Sequence, residues 1–74
     1  MFLVPATKEM FSYTDTGKVL KSITSNNAGR IRFQGTDWPA QFYRPNLKVT
    51  VDPDATVQVL GREGIVLLVA PMEG

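Results

Sequence analysis

The chain has 74 residues, of which 43% are hydrophobic and 20% charged, a composition typical of one soluble globular domain and not of a disordered segment. It contains no cysteine and no histidine, which excludes disulfides, the usual zinc ligands and the common nucleophile–base pairs of hydrolases. The net charge of +1 conceals an uneven distribution: residues 18–48 hold six bases and one acid, whereas residues 49–74 hold one base and four acids. The charge distribution predicts a domain with a basic and an acidic side. The absence of cysteine and histidine predicts a domain without metal or cofactor.

The first sixteen residues show no clear period. Two interpretations stay open for them: a short edge strand at Phe2–Val4, and one helical turn that starts at Thr7 and includes Met10. We predict that residues 1–16 are an N-terminal extension that packs on a barrel domain formed by residues 17–74.

No segment has the features of a signal peptide or a membrane span. Met1–Val4 is apolar but lacks a basic leader and a long apolar region. The longest apolar run, Ile65–Pro71, is far shorter than the roughly 20 residues of a spanning helix and suits a buried strand. We expect a soluble, cytoplasmic chain.

From Gly17 onward, apolar and polar residues alternate with a period of two, which indicates β-strands. Six segments have this pattern, at residues 18–24, 30–34, 38–43, 47–51, 56–60 and 65–70. Turn-forming residues separate them at Asn26–Gly29, Gly35–Asp37, Arg44–Asn46, Pro53-Asp54 and Gly61–Gly64. The last segment is apolar on both faces, which predicts a strand covered on both sides.

Short strands about ten residues apart, with no helical period, predict an all-β fold: a small antiparallel barrel of five or six strands. A closed or nearly closed barrel also removes the unpaired edges of an open sheet. Whether residues 47–51 are a separate strand or a lengthening of the third one stays open.

The segment from Gly17 to Pro71 resembles the soluble C-terminal domain of the NfeD family. The resemblance rests on Gly17-Lys18-Val19, on Gly29–Arg32 leading to Gly35, on Trp38-Pro39-Ala40, on Thr56–Gly64 and on Leu67–Pro71, in this order and spacing. Two features depart from the family pattern: Ala55 stands where a glycine usually precedes the fourth strand, and the stretch between Ala40 and Ala55 is longer than usual.

The resemblance implies an OB-fold barrel and a role in binding a partner near membranes. Family members usually carry this domain on a few transmembrane helices, tend to partner stomatin-like membrane scaffolds, and in longer forms add a serine protease domain. This chain has no such helices, so the resemblance implies an indirect link to the membrane.

Catalysis finds little support in the residues. Serines 12, 22 and 25 and lysines 18 and 21 formally allow a Ser-Lys pair, but no nucleophile elbow or oxyanion hole accompanies them. Asp52 and Asp54 flank Pro53, a pattern that favours a turn over a cation site. Gly61 and Gly64 predict a hairpin loop, because the Lys-Ser/Thr of a phosphate-binding loop is missing. We predict that the chain is not an enzyme.

A basic and aromatic set on two adjacent strands is the first candidate binding surface. It consists of Arg30, Arg32, Trp38, Tyr43 and Arg44. OB-folds that bind single-stranded nucleic acid place stacking aromatics between phosphate-binding cations on such strands. The alternation, however, turns the arginines away from Phe33 and leaves only Tyr43 clearly beside them. Core packing explains Phe33 and Phe42, whereas half-exposure of Trp38, at the start of its strand beside the Gly35 loop, stays open.

An apolar set that should point outward is the second candidate. Leu20, Leu60, Val66 and Leu68 face solvent if their neighbours Val19, Val59, Leu67 and Val69 face the core. An exposed apolar patch usually marks a protein contact. The alternative is that residues 1–16 cover it.

These observations predict a non-catalytic protein-interaction or scaffolding domain, linked to membrane-associated assemblies of the stomatin type as the resemblance implies. The alternative is a single-stranded nucleic-acid-binding barrel that uses the basic and aromatic set. A third possibility is a homo-oligomer in which the exposed strand faces bury one another.

Overall fold

The computed structural model describes residues 8–44 and 48–72. The five strands are β1 Lys8–Lys21, β2 Gly29–Phe33, β3 Thr36–Phe42, β4 Thr56–Glu63 and β5 Val66–Pro71. They form a closed barrel in the order β1-β2-β3-β5-β4, and β4 returns to pair with β1. The β3–β5 pair is parallel and the other four pairs are antiparallel. This confirms the predicted fold class, a small all-β barrel of the OB type.

The core follows from the alternation along the strands. Residues predicted to point inward are buried, among them Val19, Ile31, Ala40, Val57 and Val59, each at most 1% exposed. Successive side chains of a strand point to opposite faces. The register of a strand therefore places every second side chain in the barrel interior. Leu67, Leu68 and Val69 are buried in succession, which confirms that β5 is covered on both faces along this stretch.

The turn between β2 and β3 is shorter than predicted. Phe33 pairs with Thr36, and only Gln34 and Gly35 lie between them, with φ angles of 53° and 76°. Two consecutive positive φ angles are typical of the type I′ hairpin turn, whose twist matches that of the strands. The three-residue loop predicted from Gly35 to Asp37 is therefore wrong, because Gln34 belongs to the turn and Thr36 and Asp37 belong to β3.

The residues before β4 form a turn and not a strand. The Ala55 N–H donates to the Asp52 carbonyl at 3.2 Å, and Asp54 has a φ of 75° after Pro53, as in a type II turn. The Asp54 N–H donates to the Val19 carbonyl at 2.8 Å, which ties the turn to β1. This confirms the turn prediction for Asp52 and Asp54.

The segment predicted as strand 47–51 does not form one over the residues that the structure describes. Residues 48–50 have no strand conformation, and Val51 makes a single bridge to Ile23. Leu47 lies outside the described residues. The open question is thus answered against a separate strand at 48–51.

The loop predicted at Gly61–Gly64 is wrong, because β4 continues through Gly61 to Glu63. Glu63 pairs with Val66, so the hairpin loop consists of Gly64 and Ile65. The irregularity is a bulge at Leu60: Val59 pairs with Val69, and Gly61 pairs with Leu68. A bulge adds one residue to one strand and shifts its alternation, which sequence periodicity does not reveal.

The lengthened β4 pairs with the start of β1. Lys8 lies opposite Glu63 and Met10 opposite Gly61, so Met10 is part of a strand and the predicted helical turn is wrong for the described residues. Phe2–Val4 and Thr7 lie outside them. The predicted boundary between residues 16 and 17 falls inside β1, and the division into extension and barrel stays a prediction.

We predict that Ile31→Val lowers the free energy of unfolding by about 1 kcal/mol. The substitution removes a methyl group from the core, and the surrounding side chains fill the remaining space only in part. Ile31 is fully buried in the core. Ile65→Val is the matched control: this side chain is 71% exposed, so we expect a change below about 0.5 kcal/mol. Urea denaturation of both variants measures the difference, and equal effects would contradict the assigned core.

We predict that Gly61→Ala opens the pairing of β1 with the end of β4. A Cβ on Gly61 would clash with the Glu9 carbonyl oxygen and would lie 2.9 Å from the Met10 Cα. Both are backbone atoms, so the strands must separate. Amide hydrogen exchange should speed up at residues 8–10 and not at Ile31. Gly35→Ala is the control: its added Cβ has nothing within 4 Å, and the strain of alanine at a φ of 76° falls on the β2–β3 turn, so residues 8–10 should stay protected.

Candidate functional site

The outward side chains of β1 and β2 form a cluster of cations that we call the basic face, composed of Lys18, Lys21, Arg30 and Arg32. All four are exposed. Lys18 lies directly opposite Arg32, and Lys21 directly opposite Arg30. Opposed residues of antiparallel strands have Cα atoms about 5 Å apart, and alternate residues of one strand lie about 7 Å apart. The basic face therefore places four positive charges within a small area of one sheet.

One carboxylate adjoins the basic face. Asp37 lies opposite Arg32 on β3 and accepts from its Nε and Nη2 through the same oxygen, at 3.1 and 3.0 Å. The two side chains are 60% and 44% exposed, so solvent screens the pair and its contribution to stability is small. The contact mainly orients the Arg32 guanidinium along the sheet.

The other three cations of the basic face form no salt bridge with any carboxylate in residues 8–44 and 48–72. The salt bridges in this part of the chain are Arg32–Asp37 and Arg62–Glu9. Arg30 lies opposite Pro39, whose side chain has no hydrogen-bond acceptor. Lys18, Lys21 and Arg30 thus present their charge to solvent.

The structure separates the predicted aromatics from these cations. Trp38 lies opposite Ile31 and packs half-buried against the core, and its Nε1 atom is buried without a hydrogen-bond partner among the described residues. Tyr43 is half-buried four residues beyond Pro39, about 13 Å along the strand from the row that contains Arg30. Arg44 is exposed next to it. The predicted basic and aromatic set is therefore not one surface.

Leu68 is not part of an exposed patch. It points to the outer face, as predicted, but is 1% exposed. Its row in the sheet reads Met10, Gly61, Leu68 and Gln41 across β1, β4, β5 and β3. Because Gly61 has no side chain, Met10 lies over it, and a Cβ at Gly61 would lie only 3.1 Å from the Met10 Sδ.

The other members of the predicted apolar set lie apart from one another. Leu20 is 41% exposed at a bulge in β1, where Val19 pairs with Ile31 and Lys21 pairs with Arg30. Val66 is half-buried at the opposite end of the sheet, in the row that contains Lys8. Leu60 is half-buried at the β4 bulge. Lys8 marks the row of Val66, and it lies twelve positions along β1 from Leu20. The four residues of the apolar set therefore do not form one contact surface.

A groove of about 230 Å³ on the outer face is the feature that sequence reasoning missed. Gln41 and Leu68 line it, the β1–β2 loop at residues 24–28 forms one side, and Lys8 and Glu63 contribute from the other. The Lys8 Nζ lies 5.4 Å from the centre of the Tyr43 ring, within the range of a cation–π contact. No local pattern signals this groove, because its residues come from four strands and a loop.

The β1–β2 loop is held by hydrogen bonds to Thr24. Its Oγ1 accepts from the N–H of Asn26 at 3.3 Å and from that of Asn27 at 3.0 Å, and its own N–H donates to the Asn27 carbonyl at 3.0 Å. These contacts are typical of a turn organised by a threonine side chain. They define the shape of one side of the groove.

A closed five-stranded barrel with a charged outer face and a shallow groove belongs to the class of small OB-type binding domains. The NfeD-like C-terminal, partner-binding domain model matches residues 14–71, so the chain belongs to this family. The predicted family resemblance is thereby confirmed, and with it a role in binding a partner. The curated proteins contain no match to the chain.

Across the part of the chain that the structure describes, no helix combines the length and apolar character needed to cross a membrane.

Proposed function

We propose that this chain is a non-catalytic scaffolding domain that binds a stomatin-type membrane scaffold protein and is held at the membrane periphery by that partner, on the cytoplasmic side. The observation that carries the proposal is the match of residues 14–71 to a partner-binding family. The stomatin link comes from the family resemblance.

The absence of catalysis is part of this proposal. The whole chain has no histidine or cysteine, which removes the usual general base and thiol nucleophile. The serines and lysines that formally allow a Ser-Lys pair lie on or next to β1, where Ser12 and Lys18 are exposed to solvent. A nucleophile needs a positioned base and an oxyanion site, and an exposed strand favours neither.

Two surfaces are available for the partner: the basic face and the outer side of the β4–β5 hairpin that carries Val66. Val66 is half-buried, and its exposed neighbour Ile65 extends the apolar area to the turn. Leu68 is unsuitable as a contact residue, because a substitution there would act on a side chain that is already buried.

We expect saturable binding of the purified chain to a purified stomatin-type protein in lipid nanodiscs, measured by isothermal titration calorimetry. Val66→Asp should weaken it if the hairpin contributes, because a carboxylate would be desolvated in the interface. Gln58→Asp is the control, since it adds the same charge at a half-buried position elsewhere on β4. No heat of binding for the parent chain at any accessible concentration would contradict the proposal.

Single-stranded nucleic acid is the second candidate, and it is favoured by Lys18, Lys21 and Arg30, which form no salt bridge in the part of the chain that the structure describes. It predicts salt-dependent binding to a short oligothymidylate with quenching of Trp38 fluorescence. The position of Trp38 against the core argues against stacking with a base. Titration at low salt distinguishes the cases: no binding ends this alternative, and binding with quenching supports it over the scaffolding role.

A further inference from the structure

The geometry of the basic face points to a specific kind of ligand: we propose that it binds an extended, acidic polypeptide segment of the partner through carboxylate contacts to Arg30, Arg32 and Lys18. This deepens the proposed function, on which it rests, by assigning the chemistry of the contact.

The like charges of the basic face lower the stability of the fold, and folding does not require charged residues at these positions. Lys18 and Arg32 lie directly opposite each other, and like charges in such a pair are destabilising, a cost that Asp37 offsets in part at Arg32. Both side chains are exposed and outside the core, so polar uncharged residues would serve the strands equally well. The arrangement becomes favourable when an anion lies between the two charges, because each cation then gains an opposite charge within a few ångströms.

The spacing suits an extended chain of carboxylates. Arg30 and Arg32 are alternate residues of β2, about 7 Å apart on one face. Alternate side chains of an extended peptide have the same separation, so acidic residues at every second position of a ligand can meet both arginines. Arg30 forms no salt bridge within residues 8–44 and 48–72, and a guanidinium fork binds carboxylates in a planar bidentate geometry.

The surroundings favour a polypeptide over a single-stranded nucleic acid. Binding of single strands usually combines cations with aromatic rings on which bases stack. The aromatic neighbours of the basic face on β2 and β3 are Phe33, which is buried in the core, and Trp38, which packs half-buried against it. Pro39 and Asp37 lie beside the arginines instead. A carboxylate ligand needs no stacking surface.

Substitution of Asp37 tests whether Arg32 binds the ligand, because Asp37 already forms a salt bridge with Arg32. An incoming carboxylate must share Arg32 with Asp37 and is repelled by it. Asp37→Asn removes the repulsion and releases the guanidinium. The affinity for an acidic segment should therefore rise, whereas loss of Arg30 should lower it.

The experiment uses a fluorescein-labelled ten-residue peptide with glutamate at every second position and serine between, and a matched peptide with glutamine for glutamate. We expect anisotropy to report binding of the acidic peptide at low salt, weaker binding at high salt, and none of the glutamine peptide. Heteronuclear NMR should show amide shifts concentrated at residues 18–21 and 30–32. Shifts spread evenly over the barrel would overturn the proposal.

Matched variants test the assignment of residues. Arg30→Gln should weaken binding about three- to fivefold, as expected for one exposed charge pair, and Asp37→Asn should strengthen it about twofold or more. Arg62→Gln removes an exposed arginine that is paired with Glu9 away from the basic face, and should change affinity by less than about twofold. Equal losses for Arg30→Gln and Arg62→Gln would show attraction to net charge alone and overturn the proposal.

Competing ligands provide the remaining outcomes. Tighter binding of oligothymidylate of equal charge would assign the basic face to nucleic acid, and tighter binding of phosphatidylglycerol vesicles would assign it to a lipid surface; either result overturns the proposal.

The scaffolding role is tested separately. If the stomatin-type protein binds the Arg30→Gln variant as tightly as the parent chain, this inference fails and the proposed function stands. If the protein does not bind the parent chain but the acidic peptide does, the proposed partner fails and the chemistry of the basic face stands.

Discussion

Closure of the barrel by β1 is the constraint on which the rest of the structure depends. β1 pairs with β2 near its end and with β4 along both of its halves, so it joins the two edges of what would otherwise be an open sheet. A chain of 74 residues has little apolar surface to bury, and a closed barrel concentrates that surface in one interior. It also leaves fewer unpaired edges exposed to other chains.

Closure separates the chemistry of the two faces of each strand. The interior takes valine, isoleucine, leucine and phenylalanine, and no polar or charged residue of the described chain is buried. All ionisable groups are therefore on the outside, where their positions are limited by strand register and not by packing. This is why lysines and arginines that are far apart in sequence, such as Lys18 and Arg32, meet on one face.

The two bulges determine which surfaces exist. At Leu20 the bulge exposes two consecutive residues of β1, and at Leu60 it shifts the alternation so that Gly61 faces outward beside Leu68. The second bulge places Gly61 between Met10 and the buried Leu68, which lines the groove. The outer apolar patch expected from strict alternation is consequently divided, whereas the four cations of the basic face lie together on two paired strands.

Alternation in the sequence was sufficient to predict the barrel and its core, whereas the family was predicted from the order and spacing of short motifs that resemble it. Ile31, Val57 and Val59 were assigned to the interior correctly because the period of a strand depends only on local backbone geometry. Three positions could not be predicted in this way. Gln34 adopts a left-handed conformation that is usual for glycine, Gly61 extends a strand where a glycine pair suggested a loop, and Leu60 forms a bulge that shifts the alternation of β4.

The sequence by itself determined the inner and outer faces of most strands, the exclusion of histidine and cysteine chemistry, and the excess of positive charge in residues 18–48. Only the tertiary structure decided which of those charges lie together, which aromatic side chains pack against the core, and which residues line the groove. The physical reason is that side-chain alternation is a local property of each strand, whereas bulges, register and closure depend on the partner strand, which is distant in sequence.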